Sequence, residues 1–230
     1  MDIHVERTRE IRYSITGKRL ILRVPTGISK EHLMEHIGKM EKWAQQQFAE
    51  KPQLVERHQT RLWQDGQTVQ VGERTYTLRI LRVEASGSSA RLHPPGVIHI
   101  RLNQRLSDKE ADKTVKTLLS RIVANDFYIE ICQRVREWNA KTVAKHIAGV
   151  QLKYNHSNWG SCSSKGNINI STRLLFAPKE VQDYVILHEL AHLAEPNHSD
   201  RFWAIVEQYM PHYQEMEKWL KVNGHLCDFR

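Results

Sequence analysis

The 230-residue sequence predicts an α+β fold, and three observations carry that prediction. Apolar residues alternate with polar ones over 11–24 and again between Leu62 and Leu102, as half-buried strands require. Two longer segments, 29–50 and 108–138, repeat their apolar residues every three to four positions, which is the helical period. Beyond them, a helix-forming stretch that ends near Ala194 carries His188 and His192 four residues apart, and short strand-like segments precede it. With 40% hydrophobic and 26% charged residues, the composition excludes a fibrous or wholly disordered chain.

The elements follow in order. Ile11, Tyr13 and Ile15, a turn at Gly17-Lys18, then Leu20, Leu22 and Val24 read as a β-hairpin closed by Pro25. Ser29 caps a helix to about Glu50, whose stripe is Leu33, Ile37, Met40, Trp43, Ala44 and Phe48, and Pro52 stops it. Val69 and Val71, then Tyr76, Leu78 and Ile80, then Val97, Ile98 and Ile100 are strands of a mainly antiparallel sheet packed by that first helix. Gly87 to Pro95 reads as a loop. From Asp108 to Trp138 there is neither Gly nor Pro, and Val115, Leu118, Leu119, Ile122, Val123, Phe127, Ile131 and Val135 trace one face. This is the longest helix, capped by Ser107 or Asp108. Short strands at 147–153 and 167–170 flank a turn, WGSCSSKG. Pro178 opens the histidine-bearing helix and Pro196 ends it. Ser199 caps a short helix to Tyr209, and a last helix spans 213–222. The expected division is a β-rich part with one helix at 1–102 and a second part at 103–230, unless the two form one continuous domain.

Charge is unevenly placed. Residues 101–173 hold 13 Lys/Arg against 6 Asp/Glu, whereas residues 174–230 hold 5 against 9. The basic middle suits an anionic partner such as a nucleic acid or nucleotide, or else it is a solvated face. Cys132, Cys162 and Cys227 are too few and too widely spaced for a disulfide scaffold or a CxxC zinc knuckle. No apolar run approaches the roughly 20 residues that span a bilayer. Charges interrupt the opening MDIHVERTREIRYSI, so a cytoplasmic protein without membrane contact is expected.

The chemistry concentrates in His188-Glu189-Leu190-Ala191-His192, an HExxH sequence. Residues four apart share one helix face, so two imidazoles can converge on one metal ion. Neutral imidazole nitrogens suit Zn²⁺. Glu189 follows the first histidine and can act as general base for a water activated there. Pro196 turns the chain, and His198 arrives ten residues after His188, where a returning segment can supply a third imidazole. Three ligands and a glutamate, with one position left for water, compose a catalytic rather than a structural site. Cys162 as a fourth ligand is weighed against a buried thiol, and the buried thiol is preferred.

The segments Trp159-Gly160-Ser161-Cys162-Ser163, Leu174, Pro178, Asp183 to Leu193, Asn197-His198-Ser199 and Phe202-Trp203 resemble the YgjP-like metallopeptidase family, relatives of the SprT-type zincins. Pro211 and residues 213–220 fit the same pattern. The resemblance implies a zincin-like domain with its HExxH helix against a small sheet, and one zinc or related divalent ion per chain. It also implies His188, His192 and His198 as ligands and Glu189 as the catalytic carboxylate. Two departures concern substrate contacts: Ser157-Asn158 stands where members often carry a basic pair, and Ser171-Thr172-Arg173 where an asparagine is common.

Trp159, Gly160, Ser161 and Arg173 are candidate substrate-side or structural residues, with a structural turn as the competing reading for 159–163. Asp183 and His212 are read as surface or cap residues, and Phe202 and Trp203 as packing for the motif. The expected function is a zinc-dependent hydrolase of metallopeptidase type. One alternative is a nucleoside triphosphate pyrophosphatase using Lys145, Lys153, Lys165 and Arg173 against phosphate, an activity the resemblance attaches to at least one bacterial relative. The other is a non-catalytic, metal-stabilised nucleic-acid-binding module.

Overall fold

The alternation at Tyr13, Ile15, Leu20, Leu22 and Val24 produces an antiparallel pair, β2 (Arg12–Thr16) and β3 (Arg19–Pro25). The computed structural model describes residues 2–16, 19–50 and 61–229, so the turn at Gly17-Lys18 and the stop at Pro52 lie outside the described residues. A further strand, β1 (Asp2–Thr8), pairs in parallel with β3 and gives the order β1-β3-β2. The sequence did not announce β1, because its Ile3 and Val5 stay exposed among charged neighbours. Helix α1 (Lys30–Glu50) starts where Ser29 Oγ accepts the His32 N–H at 3.2 Å. Its Met40 and Ala44 are buried with Leu20, Leu22 and Val24 of β3, as the period required.

The chain divides into two compact units, 1–60 and 61–230, so the break expected after residue 102 falls inside the second. That unit begins with a sheet ordered β4 (Thr68–Val71), β5 (Arg74–Val83), β7 (Val97–Asn103), β6 (Ser89–His93). One expectation is corrected here: the segment read as a loop contains β6. The sheet is mainly antiparallel, as expected, with one parallel pair, β5–β7, at its centre. Helix α1 packs on β3 within the first unit. The sheet's Leu78, Ile98 and Ile100 share a core with Val115, Leu119 and Val123 of α2 (Asp108–Lys141). Glu110 starts α2 by accepting both the Ser107 N–H, at 3.0 Å, and the Ser107 hydroxyl, at 2.6 Å.

A second small sheet follows, ordered β8 (Gly149–Lys153), β10 (Asn167–Ser171), β9 (Gly160–Cys162). It too is mixed: β8 runs parallel to β10, while β9 is antiparallel to it. The WGSCSSKG segment is therefore an edge strand followed by a turn, where the sequence suggested a turn alone. After a 3₁₀ turn at Thr172–Phe176 come α3 (Lys179–Ala191), α4 (Asp200–Tyr209) and α5 (Tyr213–Asn223). Val181, Val185, Ile186, Leu187 and Leu190 bury α3 in the same core as Ile168 and Ile170 of β10. Among the described residues, no helix is long and apolar enough to cross a membrane.

Candidate metal centre

Helix α3 runs through the HExxH sequence, so His188 and His192 leave the same face one turn apart. The chain then tightens, with the Leu193 N–H bonded to Leu190 O and the Glu195 N–H to Ala191 O. Pro196 bars continuation, and α4 begins where Ser199 Oγ accepts the Phe202 N–H. This corner carries His198 back over α3. One ligand atom from each of the three histidines lies within 4.8 Å of the others. The Nε2 atoms of His188 and His198 face each other at 3.0 Å. Two bare lone pairs at that distance repel, so the pair calls for a proton or a cation between its nitrogens.

Below the imidazoles lies an aromatic floor. Phe202 is fully buried, and its ring centroid lies 4.8, 4.6 and 4.7 Å from those of His188, His192 and His198. Trp203 stacks on His198 and on Tyr213, and Tyr213 stacks on Tyr184. Both α4 aromatics therefore pack against the imidazoles of the motif, the role expected of them. Burial, reinforced by the two neighbouring histidines, pushes His188 down to about 4, and burial also lowers His192. Neutral imidazoles result, the form that ligates a divalent ion. His192 Nδ1 faces Glu195 O at 3.2 Å, which fixes the tautomer that leaves Nε2 free toward the cluster. Among the described residues, His188 Nδ1 is buried without a partner. The donor set fits a zinc-like divalent ion.

Glu189 is 6% exposed. Burial pushes its carboxyl up to about 7, and the Cys162 backbone N–H, donating to it, opposes that rise. Edge strand β9 comes so close that a Cβ on Gly160 would lie 2.6 Å from both Cγ and Oε1 of Glu189. Two clefts meet at this contact, both lined by Gly160, His188 and Glu189. The larger, about 740 Å³, also has Lys145, His146, Ser161 and Lys165 on its walls. The smaller, about 360 Å³, has Trp159, Tyr184, Leu220 and Lys221.

The fold thus brings together His188, Glu189, His192 and His198, with Gly160, Ser161 and Trp159 beside them. Ser161 Oγ accepts from Asn169 Nδ2 at 3.2 Å. For Arg173 the structural alternative holds: it is 9% exposed and donates to the carbonyls of Cys227, His156 and Gly224 at 2.9, 2.9 and 2.8 Å, with its guanidinium over the Trp159 ring. Its charge is spent on backbone carbonyls, so it neutralises no substrate phosphate. Lys153 sits on β8 and lines neither cleft. Cys162 stands outside the three-histidine cluster, and its half-buried thiol is pushed up by burial and by Glu189. Asp183 pairs with Arg134 and ties α3 to α2, while His212 occupies the position before α5. Tyr184 and His146 are among the lining residues that the sequence reading did not single out as site residues. Tyr184 was legible as the position one helical turn before His188, whereas His146 carried no periodic signal.

A family model described as YgjP-like, metallopeptidase domain, matches residues 9–223. Among curated proteins, the UTP pyrophosphatase of Escherichia coli (strain K12) is 28% identical over 75 residues, 33% of this chain. The match spans 45% of that relative's length. Two solved metallopeptidase zymogens, abylysin of Pyrococcus abyssi and jannalysin of Methanocaldococcus jannaschii, align over 40% and 42% of this chain and 93% and 96% of their own. Their identities are 23% and 24% and their TM-scores 0.38 and 0.37, too low to carry an argument.

Proposed function

The chain belongs to the YgjP-like metallopeptidase family and is a metal-dependent hydrolase of that type, with an α+β zincin-like fold; on this premise we propose that it holds zinc through His188, His192 and His198 and hydrolyses its substrate with Glu189 as general base. The observation that carries the reading is the position of Glu189, buried beside the histidine cluster and facing Gly160 where two clefts meet. A bound divalent ion supplies Lewis acidity toward water and a substrate oxygen. Glu189 takes the proton from the attacking water and delivers it to the leaving group. A cation at the histidines favours its ionised form, against the burial that raises it. Phe202 and Trp203 hold the imidazoles in place, so little reorganisation is asked of them.

The peptidase version of this chemistry breaks an amide bond across the two clefts. The pyrophosphatase version is favoured by one specific feature, Lys145 and Lys165 with His146 on the wall of the larger cleft, where a triphosphate's charge would be met. The partial similarity to a UTP pyrophosphatase supports the same version. A non-catalytic module is disfavoured by the open clefts and by the absence, among the described residues, of a fourth ligand in the cluster.

Zinc-loaded protein screened against a peptide library and the nucleoside triphosphates, following released amine and pyrophosphate, tests the reading. One class should be cleaved only by the metal-loaded form. If the triphosphates are the substrates, Lys145→Ala with Lys165→Ala should raise KM for them by about tenfold or more. No metal-dependent cleavage in either arm contradicts the proposal.

A further inference from the structure

The solvent face of the sheet β4-β5-β7-β6 is a cationic surface that the hydrolase reading does not use. Alternation along the strands sends Leu78, Ile98 and Ile100 into the core and leaves Arg79, Leu81, Arg91, His93, His99 and Arg101 exposed on the other side. The register sets Arg79 beside His99 and His99 beside Arg91, a row of three across three strands. Arg101 lies one position over, between Leu81 and Ser89. With strands about 4.8 Å apart, that row is about 10 Å long. His93 and His99 meet diagonally, with ring centroids 4.5 Å apart. These residues line a shallow trough of about 710 Å³ that shares no residue with the clefts at the metal centre.

The charge there is one-sided. Asp65 is the acid on the trough, and it already faces Arg79 at 3.4 Å and accepts the Ile80 N–H at 2.8 Å. Among the described residues, Arg91 and Arg101 form no ion pair and have no carboxylate opposite them in register. Guanidinium groups bind phosphate oxygens in a bidentate fork. Imidazole and guanidinium planes also accept stacked bases. Among the described residues this face presents a shallow trough of sheet strands rather than a helix or a protruding two-stranded ribbon, the elements that a duplex's major groove admits. We propose that this sheet face binds single-stranded nucleic acid, with Arg79, Arg91 and Arg101 on the phosphates and His93 and His99 under the bases.

Fluorescence anisotropy of the metal-loaded 230-residue chain with a labelled oligo(dT) of about 12 nucleotides, and with a duplex of equal length, tests this at low and physiological salt. The single strand should bind more tightly than the duplex. Arg91→Glu with Arg101→Glu should weaken it by at least about tenfold while metal content is kept. The milder pair Arg91→Gln and Arg101→Gln covers a failure of the reversed charges to fold, and should shrink the log–log salt slope by about 1.4. His93→Ala with His99→Ala should cost about tenfold and leave that slope unchanged. Absence of binding, equal affinity for the duplex, or wild-type affinity in the arginine variants overturns the proposal. So does a loss of binding caused only by Lys145→Ala with Lys165→Ala, which would assign the attraction to the hydrolase cleft.

Discussion

Gly160 and Glu189 are in contact that leaves no room for a side chain: a Cβ at position 160 would sit 2.6 Å from two atoms of the glutamate and 2.9 Å from a third. Gly160 lies opposite Ile170 in the β9–β10 register, so the strand cannot retreat without giving up its ladder. The glycine is set by the carboxylate's need for space rather than by a special backbone angle.

Gly160→Ala should therefore displace Glu189 and leave the three histidines in place. The expected outcome is metal content near that of the unaltered chain with turnover lowered by about tenfold to a hundredfold, the scale of losing a well-placed acid–base group. Elemental analysis and a turnover assay on the screened substrate check both halves.

His192→Ala removes one of three donors and should abolish tight metal binding. Chelator treatment of the unaltered chain should lower its thermal midpoint, and zinc at about a hundredfold above Kd should restore about 2.7 kcal/mol. The His192→Ala chain should show no such response in a melting experiment.

Arg173→Ala should destabilise the fold by about 3 kcal/mol, because it strips charged donors from the carbonyls of Gly224 and Cys227, just after α5, and of His156, just before β9. Arg173→Lys should recover little of this, since one ammonium cannot reproduce a planar fork. Denaturant unfolding of both variants measures it.

Alkaline stability follows from two buried phenols, Tyr76 and Tyr184, and a half-buried one, Tyr154. Burial pushes Tyr76, Tyr154 and Tyr184 above the ordinary tyrosine range, and hydrogen bonds from Tyr76 to Asp126 and Tyr154 to Asp228 act in the same direction. A raised folded value means the stabilisation is complete below the unfolded pKa of about 10 and is lost as pH climbs past it. Unfolding midpoints should fall above about pH 10, and Tyr154→Phe should blunt that fall.

What the sequence disclosed was whatever repeats locally. The stripe of α2 and the positions of His188 and His192 are i,i+4 patterns, and both were legible. Pairing partners are not local: nothing in the runs at 76–80 and 97–100 says that β5 and β7 lie parallel. Strand β6 was hidden because Ala90 and Leu92 are too few apolar residues to stand out between Gly87 and Pro95. Arg173 stayed open between a phosphate contact and a structural role because a charge count records a cation and not the three carbonyls that it holds. Gly160 could be named from its motif, but the need for a glycine appears only when α3 is set against β9.

The central claim is that Glu189 moves the proton and does not hold the metal. Glu189→Gln preserves size and most hydrogen bonding and removes only the ability to accept that proton. The measurement is turnover of the metal-replete Glu189→Gln protein, with occupancy determined on the same sample. The account predicts full occupancy and turnover lower by about a hundredfold or more. Near-normal turnover at full occupancy would contradict it.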